Sequence, residues 1–222
     1  MNGQIEERHK AIAIPVCIAA HADRPRFLTV RDRRFKDWIF VAGGCRKREV
    51  QNPLKCALRE LEEETRGVIS LKEGQYTTFT FKTHNRTDEE LRDDKRRGIH
   101  VISVYHVFIF FVTLTETEQL FTVDRFNQEK SKMDSLKEKR LPIKRTYDEN
   151  DMMSWTTLDD FSQRKQWDII KTNVLGNPEF FRKLYEKPLN FNIKRNYTYN
   201  ASKKSIYCNR NVVYTGNGNV VR

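Results

Sequence analysis

A chain of 222 residues that is 38% hydrophobic and 32% charged is expected to be globular, with one sizeable core and residues left over for a tail or insertion. Its formal net charge of +11 is uneven: nine Lys/Arg face the single acid Glu186 between Arg182 and Arg222, and eight face Glu129, Asp134 and Glu138 between Arg125 and Arg145. The most apolar stretch, Val101–Leu114, is broken by Ser103, Tyr105, His106 and Thr113 and is too short to span a bilayer, and the N-terminal MNGQIEERHKAIAI lacks the apolar core of a signal peptide, so a cytoplasmic protein with no membrane partner is expected.

In chain order, Lys10–Ala20 is an apolar run with β-branched residues and predicts a strand, and Arg26–Val30 predicts a second after the turn at Asp23–Pro25. Trp38–Ala42 predicts a short third strand, ended by Gly43-Gly44. Asn52-Pro53 marks a helix start, Leu54, Ala57, Leu58 and Leu61 line one helical face, and Gly67 ends the helix. Gln75–Lys82 alternates as a strand, Thr83–Gly98 reads as a charged loop, and Ile99–Leu114 predicts a long strand or strand pair at the centre of a sheet. Glu118–Arg145 shows no firm period beyond a short helix. Met152–Trp155 predicts a strand, while Leu158–Phe161, Asp168–Val174 and Pro178–Tyr185 predict pieces of helix. Asn190–Arg222 reads as short hairpins or an unstructured tail. Strands, one marked helix, more strands and then helix indicate a mixed α/β fold. Cys17, Cys45, Cys56 and Cys208 have no C-x-x-C spacing, which argues against a zinc site and for free thiols.

The informative stretch is Gly43–Gly67, GGCRKREVQNPLKCALRELEEETRG. On a helix, Glu60, Glu63 and Glu64 stand at i, i+3 and i+4, on one face and within one turn. Like charges so placed repel, so helix stability does not explain them. Bound Mg²⁺ or Mn²⁺ does, because hard oxygen donors suit such ions. Arg59, four residues before Glu63, is placed to orient its carboxylate. Glu-rich helix faces are more often solvated surface. The preceding strand and Gly-Gly loop and the following Thr-x-Gly stop shift the balance towards a metal site.

These residues resemble the Nudix (MutT-like) hydrolase family, whose box reads G-x5-E-x7-R-E-U-x-E-E-x-G-U, with U aliphatic. Arg59-Glu60-Leu61-Glu62-Glu63-Glu64 matches the central R-E-U-x-E-E in full. WIFVAGG resembles the family's W-x-x-P-G-G, with Ala42 in place of proline, and Asp148-Glu149, Met152–Trp155 and Leu158-Asp159 resemble its later acid, strand, Trp and L-D-E-L ending. Two departures stand out. One extra residue lies between Gly44 and Arg59, so Glu49 falls one place early and Val50 holds its position; and Arg66 takes the usual glycine place, with Gly67 one later.

The resemblance implies an α+β fold: a mixed β-sheet sandwiched between helices, here as a hydrolase domain over 1–165, followed by a basic helical segment and an Asn/Lys/Tyr-rich tail over 166–222. It implies a metal-dependent pyrophosphohydrolase that cleaves a nucleoside diphosphate linked to another group. Glu60, Glu63 and Glu64 would hold Mg²⁺ or Mn²⁺. Glu63, Arg59 and a further carboxylate would act in catalysis; Glu149 is chosen for the last, with Glu116, Glu118 and Glu129 as competitors. Gly43, Gly44, Arg46, Lys47 and Arg48 would meet the substrate. LKCALRELEEE also resembles the box of the mRNA-decapping Nudix proteins of large DNA viruses and eukaryotes. A tail mixing Lys/Arg with Tyr185, Phe191, Tyr197, Tyr199, Tyr207 and Tyr214 suits single-stranded RNA, with no specificity for DNA expected. The first expectation is therefore hydrolysis of the m7G cap of RNA to m7GDP. The alternatives are a small polyphosphate substrate (a diphosphoinositol polyphosphate, a dinucleoside polyphosphate or a nucleoside triphosphate) and an inactive Nudix-fold RNA-binding module.

Overall fold

The structure, a computed structural model, describes residues 4–18, 24–71, 75–84 and 88–185, and short strands beyond 196. Its frame is a seven-stranded mixed sheet. The two longest strands, β1 (Gln4–Cys17) and β7 (Ile99–Val112), run parallel in continuous register from Gln4↔Ile99 to Cys17↔Val112. On one side of this pair lie β2 (Arg26–Asp32), β3 (Trp38–Ile39), β4 (Val41–Gly44) and, against β2, β8 (Asn150–Thr156); on the other lies β6 (Tyr76–Thr83).

The later part of β1, Ala11–Cys17, and much of β7 are mainly apolar because both faces of the sheet are covered there. Ala11, Ala13 and Cys17 of β1 pack into one core with Phe108 and Phe110 of β7, beneath α1 (Pro53–Glu64) and α3 (Glu116–Glu138). Ile12, Ile14 and Val16 pack into a second core with Tyr105, Val107 and Ile109. That opposite face is covered by α4 (Leu158–Ser162), a π-helical turn at Ile170–Leu175, and α5 (Pro178–Tyr185), through Phe161, Ile170, Val174, Phe180 and Leu184. The sheet thus lies between two helical layers, as expected. Among the described residues no helix is long and apolar enough to cross a membrane.

Several elements differ from the sequence reading. Thr83–Gly98 is not all loop, since it contains α2 (Asp88–Arg97), a helix of mostly charged residues that offers no apolar period to detect. Trp38–Ala42 is divided between β3, which pairs with β2, and β4, which pairs with β1 and runs on through Gly43-Gly44 instead of ending before them. Most of Glu118–Arg145 belongs to the 23-residue α3, which starts two residues earlier at Glu116. This helix has no apolar stripe because its buried side chains are Gln119, Thr122, Arg125 and Phe126. Phe126 joins the apolar core, whereas the polar members are anchored by hydrogen bonds: Trp155 Nε1 donates to Thr122 Oγ1 (2.9 Å) and Gln119 Nε2 to the Leu114 carbonyl (3.1 Å). A reciprocal cap between Thr115 and Glu118 fixes its start. In the last segment, Tyr197–Asn200 pairs antiparallel with Ser205–Cys208, which pairs parallel with β5 (Ile69–Ser70); the rest of Asn190–Arg222 lies outside the described residues apart from the short pair Val213–Tyr214 and Val220–Val221.

Candidate active site

The site forms where β4 hands over to α1. Pro53 occupies the first turn of α1, while Asn52 precedes it without a side-chain cap. Cys56, Ala57 and Leu61 are buried against β1 and β4, with Leu54 and Leu58 partly buried beside them. That packing turns Glu60, Glu63 and Glu64 inward at the edge of the sheet, where all three are buried. At its far end the helix stops with Arg66 and Gly67 both at positive φ (56° and 71°), and Gly67 N–H donates to the Glu62 carbonyl at 2.7 Å. Arg66 therefore fills the left-handed place where glycine is usual. Its side chain compensates by burying its guanidinium over the Phe126 ring (4.1 Å) and donating to the Asn150 carbonyl. This burial lowers its pKa to about 10.

Arg59 organises the glutamates. Its Nε and Nη2 donate to the two oxygens of Glu49, both at 2.9 Å, and Nη2 also reaches the Gly44 carbonyl at 2.9 Å. Its Nη1 donates to Glu60 (2.7 Å) and to Glu63 (3.1 Å). Glu49 is buried and accepts from the Arg46 backbone N–H as well (2.8 Å). The bond to Arg59 pulls its pKa to about 2. The one-residue slip seen in the sequence is thus absorbed locally. A 3-10 turn at Lys47–Glu49 swings Glu49 onto Arg59, and the extra residue is spent before Pro53. Glu49 is a structural clamp on Arg59 despite being one place early.

Glycine at 43 leaves room for Glu60, which any side chain there would displace. A Cβ there would stand 2.1 Å from Cδ and 2.2 and 2.4 Å from the oxygens of Glu60, whose carboxylate lies directly on the glycine. Glu64 is held by the Ala42 N–H (3.2 Å) and Asn150 Nδ2 (2.8 Å). Burial raises the pKa of Glu60, and raises that of Glu64 well above the usual carboxylate range; Glu149 adds to both shifts. Glu149 stands one residue before β8. Burial, then Glu63 and Asp32, raise its own pKa. A bulge at Arg31/Asp32, where Asp151 is bonded by Arg31 at 2.8 and 3.0 Å, bends the start of β8 so that Glu149 and Asn150 come to the glutamates of α1. The competing acids are engaged elsewhere: Glu116 with Arg26, Glu118 in the α3 cap, Glu129 with Arg125 and Lys132.

Of the basic residues expected at the substrate, Arg46 reaches Glu63 Oε1 at 3.4 Å, and Lys47 and Arg48 lie exposed on the 3-10 turn. Gly44 has open space at its Cα. Sequence reasoning missed Lys144 and Asn150. Lys144 lies in the basic run after α3, and its Nζ stands 3.4 Å from the same Glu63 oxygen that Arg46 approaches. Only its place in a run of positive charge could have hinted at this. Among the described residues no three His, Cys, Asp or Glu side chains are arranged as a formed metal shell. The carboxylates are instead turned onto Arg59, Arg46, Lys144, Ala42 and Asn150. The donor set still fits a hard divalent cation: four carboxylates crowd one site, and after burial the neighbouring acids add to the upward shifts, Glu63 and Glu149 on Glu60, Glu60 and Glu149 on Glu64, and Glu63 on Glu149.

The family model of the NUDIX domain matches residues 8–175. No curated protein matches the chain. Among solved structures it is similar to the NUDIX domain of Shewanella oneidensis NrtR in complex with ADP ribose, at 13% identity and TM-score 0.47, over 82% of this chain and 90% of that one. It is similar to a NUDIX hydrolase from Listeria monocytogenes at 14% identity and TM-score 0.43, over 82% and 94%. It is also similar to a C. elegans Ap4A hydrolase at 14% identity and TM-score 0.41, over 83% and 99%.

Proposed function

The chain belongs to the NUDIX domain family, and from that premise we propose that it is a Mg²⁺- or Mn²⁺-dependent hydrolase that removes the m7G cap from RNA, releasing m7GDP and RNA with a 5′-monophosphate. One observation carries this reading. Glu63 is approached by one cation from the basic turn Arg46–Arg48 and by another from the basic segment that ends in Lys144-Arg145, so cations from two separate basic segments meet on one carboxylate oxygen. That arrangement suits a polyanionic substrate bound beside the carboxylates. The basic, aromatic-rich composition of 190–222 supports the same substrate class.

In this reading Glu60, Glu63 and Glu64 hold the metal. A divalent cation supplies charge neutralisation for the diphosphate and a lowered pKa for water. Arg59, clamped by Glu49, sets the orientation of Glu60 and Glu63. Asn150 and the Ala42 N–H fix Glu64. Glu149, with its pKa raised towards the working range of a base, takes a proton from the attacking water. Water adds across one phosphoanhydride bond, and no covalent bond to the protein is needed.

The test is hydrolysis of cap-labelled RNA with Mg²⁺ or Mn²⁺, beside Glu63→Gln and Glu149→Gln and a panel of nucleotides and inositol pyrophosphates. Release of m7GDP by the wild type, lost in Glu63→Gln and lowered at least about tenfold in Glu149→Gln, is the expected outcome. Hydrolysis confined to a small substrate keeps the hydrolase and removes the RNA reading. No hydrolysis of any substrate leaves a NUDIX-fold binding module.

A further inference from the structure

Lys144 is not part of the box, yet it ends on it. Its Nζ and Arg46 Nη2 each stand 3.4 Å from Glu63 Oε1, and Arg59 Nη1 holds the other oxygen, Oε2, at 3.1 Å. These three cations are unlike one another. Arg59 is enclosed and tied to Glu49 and the Gly44 carbonyl. Lys144 and Arg46 are 55% and 46% exposed, on flexible stems, at a distance longer than a well-formed charged hydrogen bond. Arg59 is a fixture, and the other two are held loosely. In the same position its Nζ also lies over the Tyr147 ring at 4.1 Å, an attachment that does not depend on Glu63. It can leave Glu63 and stay at the site.

We propose that Lys144, together with Arg46, is an exchangeable substrate ligand: it rests on Glu63 while the site is empty, and moves onto a phosphate of the substrate when Glu63 turns to a metal. The argument rests on the metal reading of Glu63 given above, and its physics is competition. One carboxylate oxygen cannot serve two side-chain cations and a divalent ion at once without strong like-charge repulsion. A diphosphate brought in with the metal offers the displaced cations new oxygens within reach. Lys144 therefore opposes metal binding in the absence of substrate and favours anion binding in the presence of metal, which gives its removal two effects of opposite sign.

The experiment uses the full chain and compares wild type, Lys144→Gln, Lys144→Arg and, as a control for net charge alone, Lys139→Gln. Mn²⁺ affinity is measured without anion, and inorganic pyrophosphate affinity is measured on the Mn²⁺-loaded protein. Lys144→Gln should bind Mn²⁺ about two- to fivefold more tightly, the range of a half-exposed ion pair. It should bind pyrophosphate about tenfold more weakly, as expected for loss of a charged hydrogen bond. Lys144→Arg should restore pyrophosphate binding, and Lys139→Gln should leave both affinities within twofold. On a hydrolysed substrate, Lys144→Gln should raise KM and leave kcat nearly unchanged. The assignment is overturned if Lys144→Gln moves both affinities in the same direction or neither, or if Lys139→Gln reproduces its effects. Mn²⁺ binding and hydrolysis in the wild type with an unaltered Lys144→Gln overturns this assignment alone. A wild type that binds no Mn²⁺ overturns the metal reading with it.

Discussion

Replacing Glu49 by Gln tests whether a residue one place out of register performs the work of the one in register. Glu49 accepts two bonds from Arg59 at 2.9 Å and one from the Arg46 N–H at 2.8 Å, all in a buried setting. Gln keeps the volume and one acceptor oxygen but gives up the charge and one Arg59 bond. A charged hydrogen bond contributes about 1.5–3 kcal/mol, so a loss of ~2 kcal/mol is expected. In a chain of this length that lowers Tm by about 4–8 °C. The effect should depend on pH in a definite direction. Arg59 holds the Glu49 pKa at about 2 in the fold, against ~4.3 in an unfolded chain. Its stabilisation is therefore fully present above the unfolded value and fades as the pH falls towards 2. Thermal melts of wild type and Glu49→Gln should differ most near neutral pH and converge in acid. The transposed double variant Glu49→Val, Val50→Glu restores the spacing from Gly44, still with eight residues before Arg59 where the box has seven, but faces a turn built for position 49, so it should be no more stable than Glu49→Gln. A Tm change under about 1 °C in Glu49→Gln, or a transposed variant as stable as wild type, refutes the clamp.

Gly43→Ala should cut activity at least about tenfold, since its methyl would meet the Glu60 carboxylate at 2.1–2.4 Å and drive it off its seat; steady-state kinetics checks this, and unchanged kcat/KM would mean that Glu60 is free to sit elsewhere. Ending the chain after Tyr185 should leave a folded protein, whereas ending it at 165 should not. The longer form keeps Ile170, Val174, Phe180 and Leu184, all fully buried, and each costs about 2–5 kcal/mol to remove; circular dichroism and melts of the two forms separate these outcomes. Deleting Asn190–Arg222 should weaken RNA binding and flatten its salt dependence more than it slows a small-nucleotide reaction, and equal losses on both would count against an RNA-binding tail.

Much of the site was legible locally. Glu60, Glu63 and Glu64 share a face because helical spacing alone puts them there, and Arg59 lies within reach of Glu63 for the same reason. Glu149 was chosen for its place before the MMSW strand, and the bulge at Arg31/Asp32 is what bends that strand towards α1. No short-range pattern encodes such a bulge. Glu49 is the instructive residue. Counting along the chain put it out of place, but a side chain reaches its partner through space, and one 3-10 turn absorbs one residue.

The sequence by itself determined whatever depends on neighbours a few residues apart: α1 and its carboxylate face, and the mainly apolar parts of β1 and β7, whose composition announces burial on both faces. Tertiary structure decided the rest. The helix α3 is held by a largely polar buried face, so its period is invisible to hydrophobic patterning, and its partner Trp155 comes from β8, 33 residues beyond Thr122. Lys144 meets Glu63 only because α3 returns the chain to α1, 81 residues after leaving it. Local sequence carries no trace of such a meeting, because the energy that fixes it lies in contacts made elsewhere in the fold.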